Sequence, residues 1–183
     1  MATVILAPTI MTRRSRLQSE IKQRKPFRSR GQEATVALLR TASVVSRAVA
    51  RVVEPSGLSL AQYNTFRIIR GAGAGGIPTL AVRERMIEEG TTITRLLDKL
   101  EESALITRER AAPDRRQVIC YVTAAGRRLL DRIDPLVDAS DAEAVDALDD
   151  DELEQLIAML DAIRAGNAHR GAARTAARPT AAV

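Results

Sequence analysis

The chain has 183 residues and a formal net charge of +5, with 45% hydrophobic and 28% charged residues, which fits one ordinary soluble domain with tails. Its apolar runs are only a few residues long, so no segment is expected to span a membrane. A single cysteine, Cys120, and a single histidine, His169, exclude an intrachain disulfide framework and a cysteine metal cluster, and they argue against nucleophile–histidine catalysis.

Charge is distributed unevenly. Residues 1–30 carry Arg13, Arg14, Arg16, Lys22, Arg24, Lys25, Arg28 and Arg30 against Glu20 alone. Residues 138–161 carry ten acids and no base, and the last twenty residues carry four arginines and no acid. Basic ends on a near-neutral body point to a polyanion partner as readily as to solvated tails. The apolar stretch at residues 4–6 is too short for a signal-peptide core and precedes the basic cluster, so a disordered cytoplasmic arm is expected there.

In chain order, Leu38, Ala42, Val45, Val49 and Val52 alternate by four and three, the stripe of a helix over roughly residues 31–54. Glu54-Pro55-Ser56-Gly57 ends it. Ser59 with Gln62 is a capping-box pattern opening a second helix that turns Tyr63, Phe66 and Ile69 inward. Glycines 71, 73, 75 and 76 stop that helix. The G-x-G-x-x-G spacing within them follows a helix rather than a strand, so it reads as a flexible loop and not a nucleotide site. Thr79 is expected to cap a short helix with Leu80, Val82 and Met86 on its apolar side.

After Gly90, Thr91 is expected to cap a helix whose Ile93, Leu96, Leu97 and Leu100 fall on one face. The period then changes to two, and residues 106–110 and 117–122 read as a hairpin joined by a polar loop. Within it Cys120 alternates with Val118 and Val122, which points it inward as an inert thiol. Thr123 opens a fifth helix that Pro135 should kink or shorten. Asp149 with Glu152 opens a sixth, with Leu153, Leu156, Ile157, Leu160 and Ile163 apolar, ending at Gly166. The Ala-, Arg- and Gly-rich tail from residue 167 reads as disordered.

Two short helices separated by a tight turn and followed directly by a hairpin make a winged helix-turn-helix. At 100° per residue, Thr91, Arg95, Asp98 and Glu102 project away from the apolar stripe of the 91–103 helix, flanked by Thr92, Thr94 and Lys99. An apolar back with Thr and Arg at the N-terminal end suits insertion into a major groove. Arg115 and Arg116 at a hairpin tip, with Asp114 able to orient one of them, suit the minor groove, where negative potential concentrates. Taken alone, the loop reads equally well as a polar turn.

The stretch Asp114-Arg115-Arg116-Gln117-Val118-Ile119-Cys120-Tyr121-Val122-Thr123-Ala124-Ala125-Gly126 resembles the D-R-R-x-x-x-V-x-L-T-x-x-G signature of the MarR family of regulators. Ile93-Thr94-Arg95-Leu96-Leu97-Asp98-Lys99-Leu100-Glu101 resembles its recognition helix, and Leu58-Ser59-Leu60-Ala61-Gln62-Tyr63 resembles its L-T-x-x-Q-Y entry to the second helix.

The resemblance implies a mainly α (α+β) fold, a winged helix-turn-helix with N- and C-terminal dimerisation helices. Its parts would be a basic, disordered or partly ordered arm over 1–28, a dimerisation helix over 29–57, the DNA-binding domain over 58–126, dimerisation helices over 127–166 and a disordered tail over 167–183. It implies a cytoplasmic homodimer on a pseudopalindromic double-stranded operator, usually a repressor released by a small aromatic or anionic effector, with no enzymatic activity, cofactor, metal or membrane partner. Thr91, Thr92, Thr94, Arg95 and Lys99 would face the major groove and its phosphates. Arg116 would enter the minor groove, braced by Asp114, with Arg115 on the backbone. Arg40, Tyr63 and Phe66 are the candidates for a ligand cleft.

Two positions depart from the family pattern. Arg83 stands where Ala is common, and Ala104 stands where Gly is common, at a cost of about 1 kcal/mol if the backbone there is left-handed. A sequence-tolerant architectural DNA-binding protein using the basic arms is the alternative reading.

Overall fold

The computed structural model describes residues 15–87, 92–111 and 117–176, with side chains up to residue 169. Thr91, Asp114, Arg115 and Arg116 therefore lie outside the described residues, as do residues 1–14 and 177–183. The chain divides into two units, Met1–Arg47 and Ala48–Val183.

The first unit holds α1 (Arg16–Glu20) and most of α2 (Arg30–Val53). Ser15 caps α1 through the amide of Gln18, and Ser29 accepts from the amide of Gln32 at the start of α2. Residues 15–28 of the arm, expected to be disordered or partly ordered, are thus folded.

The second unit contains α3 (Leu60–Gly71), β1 (Ile77–Pro78), α4 (Thr79–Glu84), α5 (Ile93–Glu102), β2 (Ile106–Arg110), β3 (Val118–Val122), α6 (Ala124–Val145) and α7 (Asp150–Ala176). Phe66, Ile69, Val82, Leu97, Leu100, Ile106, Cys120, Leu130 and Ile133 form one buried core among the helices and the sheet. The reciprocal Ser59–Gln62 capping box forms as expected, and so does the Asp149–Glu152 pair.

The sheet has three antiparallel strands in the order β1-β3-β2, one more than the sequence suggested. The extra strand is two residues long, too short to leave a periodic signal, and Pro78 suits its edge position. Gly76 leads into it with φ 66°, and a Cβ there would meet the Tyr121 ring at 2.5 Å. The glycine cluster is therefore conformational in purpose.

Other expectations need correction. Thr79 does not cap α4, because Pro78 holds the N-cap position; its hydroxyl donates instead to the Val118 carbonyl at 3.2 Å, joining helix to sheet. Leu80 points outward and is 62% exposed, since a six-residue helix buries only the face that carries Val82. Pro135 does not shorten α6, which runs on to Val145. Gly166 does not end α7. The alanines around it are strong helix formers, so Gly166 and Gly171, each costing about 1 kcal/mol, are carried through to Ala176.

One junction fixes α3, α5 and α6 together. Leaving α5, the chain makes a Schellman turn: the Leu105 amide donates to the Leu100 carbonyl at 3.0 Å and the Ala104 amide to Glu101 at 2.8 Å. The turn places Ala104 at φ 55°, the left-handed region that glycine would fill without strain. The Leu105 carbonyl then accepts from both the amide and the hydroxyl of Thr123, at 3.0 and 3.1 Å. The same hydroxyl oxygen caps α6 through the Gly126 amide. A Cβ at Gly126 would lie 2.3 Å from the Leu105 carbonyl oxygen and 2.8 Å from the Phe66 ring.

Ala104→Gly is expected to raise stability by up to about 1 kcal/mol by relieving the left-handed alanine. Gly126→Ala is expected to lower it by about 1–3 kcal/mol through overpacking. Urea midpoints of the two variants check both signs; a destabilised Ala104→Gly or a neutral Gly126→Ala would contradict this account of the junction.

Candidate nucleic-acid interface

Helix α5 presents Leu96, Leu97 and Leu100 to the core, with Ile93 half-buried beside them. Thr92, Thr94, Arg95 and Lys99 are all exposed on the other side, as their spacing requires. Thr92 is the N-cap residue, yet its hydroxyl makes no capping bond, so neither the helix nor the core occupies it. The first amides of α5 lack intrahelical acceptors, as at any helix start, and the dipole there favours an anion.

The hairpin is locked to this helix. Arg108 of β2 donates from Nε and Nη2 to the Glu101 carboxylate at 2.9 and 2.5 Å, and from Nη2 to Asp98 at 2.7 Å. The Arg108 amide donates to the other Glu101 oxygen at 3.1 Å. Hydrogen bonding from Arg108 holds the Glu101 carboxyl below its ordinary pKa, and hydrogen bonding to Glu101 raises that of Arg108. Asp98 is therefore committed to the clamp and is not a free groove-facing acid. Nothing in the sequence marked Arg108, because the pairing depends on β2 folding back across α5. The Ala111 amide donates to the Gln117 carbonyl at 2.9 Å and closes the base of the loop that carries residues 112–116.

Charge on this surface nearly cancels. Lys99 pairs with Glu102 at 2.8 Å, so a phosphate has to compete for it. Arg95, Lys99 and Arg108 stand against Asp98, Glu101 and Glu102. Arg83 is exposed and lines, with Leu80, Thr94 and Gln117, a depression of about 520 Å³ between α4, α5 and the hairpin.

The three residues expected near a ligand cleft have other partners. Arg40 pairs with Glu20 at 2.6 Å in the first unit. In the second unit, Phe66 is fully buried. Tyr63 is 3% exposed and donates its hydroxyl to Asp134 at 2.9 Å, where Arg70 also pairs at 2.5 Å. Burial, reinforced by the bond to Asp134, pushes the Tyr63 phenol up to about 12. Arg70 and Asp134, which join α3 to α6, had no sequence signal beyond their charge. Cys120 is fully buried with its thiol pKa pushed up by burial, in keeping with an inert role. Among the described residues, no group of acids, histidine and cysteine is placed to hold a metal ion, and no helix is long and apolar enough to cross a membrane.

Because Glu101 has a lowered pKa when folded, its stabilising contribution is present above the ordinary carboxylate pKa. It is lost as pH falls through the lowered value. Glu101→Gln is thus expected to be less stable than the parent near neutrality, with the gap closing in acid. Urea midpoints across the acidic range test this, and a pH-independent gap would reject the clamp as the source.

The family model for transcriptional regulator SarA/Rot matches residues 55–133. The chain is 33% identical over 79 residues to the HTH-type regulator YkoM of Bacillus subtilis, covering 43% of this chain and 51% of that protein. It is 31% identical over 97 residues to the transcriptional regulator HosA of Escherichia coli O127:H6, covering 53% of this chain and 70% of that protein. Among solved structures, a MarR transcription factor from Planctomyces limnophilus is 32% identical, with 74% of this chain and 98% of that one covered and a TM-score of 0.57. CouR from Rhodococcus jostii RHA1, solved with p-coumaroyl-CoA, is 27% identical, with 75% and 95% covered and a TM-score of 0.64. These relatives are regulators of transcription, and the fold matches those of the two solved structures over about three quarters of the chain. The chain belongs to the MarR family of winged helix-turn-helix transcriptional regulators.

Proposed function

We propose that this protein is a dimeric, sequence-specific repressor that grips a pseudopalindromic operator and leaves it when a small aromatic or anionic molecule binds. The observation that carries the reading is the polar front of α5. Thr92, Thr94 and Arg95 are exposed and unclaimed on a helix whose back is sealed into the core and whose flank is clamped to the hairpin. A groove-reading helix needs both properties, because base edges are distinguished only if side chains are held at a fixed depth.

Thr91, Thr92, Thr94, Arg95 and Lys99 are assigned to the major groove and its phosphates. Arg116, braced by Asp114, is assigned to the adjacent minor groove, and Arg115 to the backbone.

Dimerisation is supported by apolar side chains left in solvent. On α2, Leu39 is 65% exposed; in the second unit, Leu136 of α6 and Ile157, Met159 and Ile163 of α7 are exposed as well. These residues fall in the segments 29–57 and 127–166 assigned to the dimer. Two recognition helices must then stand about 34 Å apart to meet successive major grooves. A ligand that alters this span weakens the hold on both half-sites together. CouR carries an acyl-CoA with an aromatic end in its solved structure, which supports an effector of that class. Arg40 is the candidate for an anionic group, which would have to compete with Glu20 for it.

The test is duplex selection from a random pool, followed by competition with unrelated duplex and by sizing of the free protein. The expected result is a palindromic consensus bound by a dimer. Equal displacement by random duplex would favour an architectural role, and a monomer at micromolar concentration would remove the two-site mechanism. Arg95→Ala and Arg116→Ala are each expected to weaken operator binding by about 1–3 kcal/mol with the dimer intact. Unchanged affinity in either would refute that assignment.

A further inference from the structure

The basic N-terminal segment is a folded object. In residues 15–30 the Gln18 side chain is buried and donates to the Lys25 carbonyl at 2.9 Å, and the Gln23 side chain donates to the same carbonyl at 2.8 Å. The Gln23 amide donates back to the Gln18 carbonyl at 2.9 Å, with Lys22 turned left-handed at φ 54°. The Arg28 amide donates to the Gln32 side chain at 2.7 Å and sets the entry to α2. Polar side chains thus hold a compact turn.

That turn displays Arg16, Lys22, Arg24, Lys25, Arg28 and Arg30, all exposed. The only acid among them, Glu20, is paired with Arg40, and among the described residues none of the six cations has an ion-pair partner. Holding six like charges within fifteen folded residues is unfavourable. Arg28 and Arg30 also flank the start of α2, the positive end of the helix dipole, where cations are disfavoured. A left-handed lysine adds backbone strain. A bound polyanion offsets the two charge costs. Around α5, by comparison, Lys99 and Arg108 are paired with Glu102, Glu101 and Asp98, which leaves Arg95 as the unpaired cation among the described residues of that helix.

We propose that residues 15–30 form a phosphate-binding surface for the DNA backbone. This rests on the DNA-binding reading above. The occupant is nucleic-acid phosphate, and the surface carries sequence-independent affinity while α5 carries specificity.

The experiment compares the full chain with a variant bearing Arg16→Gln, Lys22→Gln, Arg24→Gln, Lys25→Gln, Arg28→Gln and Arg30→Gln, which keeps Gln18, Gln23, Glu20 and the turn. A milder variant with only Arg24→Gln, Lys25→Gln and Arg28→Gln, checked by circular dichroism, covers a folding failure of the first. DNA affinity is measured against salt concentration on the selected duplex and on random duplex. The logarithmic salt slope is expected to become shallower by about 0.9 for each phosphate no longer neutralised, equally on both duplexes, with the sequence preference retained. Lysine at the two arginines of the milder set should keep the parent slope of binding. Parent slopes in both neutralised variants would overturn the proposal. So would a change confined to the salt dependence of dimer dissociation, which would assign the surface to the acidic residues 138–161 of a second copy. If the parent itself shows no sequence preference, the operator reading falls, and the slope on random duplex still decides this one.

Discussion

Helices α3, α5 and α6 meet at the carbonyl of Leu105. It receives the amide and hydroxyl of Thr123, lies against the backbone of Gly126, and follows a helix turn whose strain is taken by Ala104. The Phe66 ring from α3 closes the same point. Helices α3, α5 and α6 are thereby fixed where a side chain as small as methyl would not fit. Interiors packed this closely do not deform by degrees; they hold one arrangement or shift to another.

The Arg108 clamp extends the same logic to the hairpin. One guanidinium satisfies Asp98 and Glu101 and pins β2 to the flank of α5. Its consequence is electrostatic as well as mechanical. Beside α5, Arg108 is spent on internal acids and Lys99 is shared with Glu102, while Arg95 stays unpaired. Alignment and attraction are thus separated in this molecule. The winged core supplies shape and direction, while most of the uncompensated cationic charge lies in the N-terminal segment and, by sequence, at the hairpin tip and the C-terminal tail.

The fold was legible wherever a local rule suffices. Ser59 with Gln62, the stripe of Ile93, Leu96, Leu97 and Leu100, and the alternation that buries Cys120 each follow from periodicity or from bonds within four residues. The errors share a cause too. Thr79 resembled a cap, but its hydroxyl found an acceptor on a strand 39 residues away. Leu80 resembled a core residue, but a helix of six residues has no room to bury it. Gly166 resembled a stop, but no left-handed turn was required there. In each case a residue type permits two outcomes, and the surrounding structure selects one.

By itself, then, the sequence determined the order of elements, the apolar and polar faces of α5, the family, and the concentration of charge at the ends, because these depend on spacing and composition along one chain. Tertiary structure alone decided that Arg108 clamps the recognition helix, that Tyr63, Arg70 and Asp134 join α3 to α6, that a two-residue strand completes the sheet, and that the basic arm folds around Gln18. Those features join segments that are remote in sequence or held by backbone turns, and their energies exist only once the chain has closed on itself.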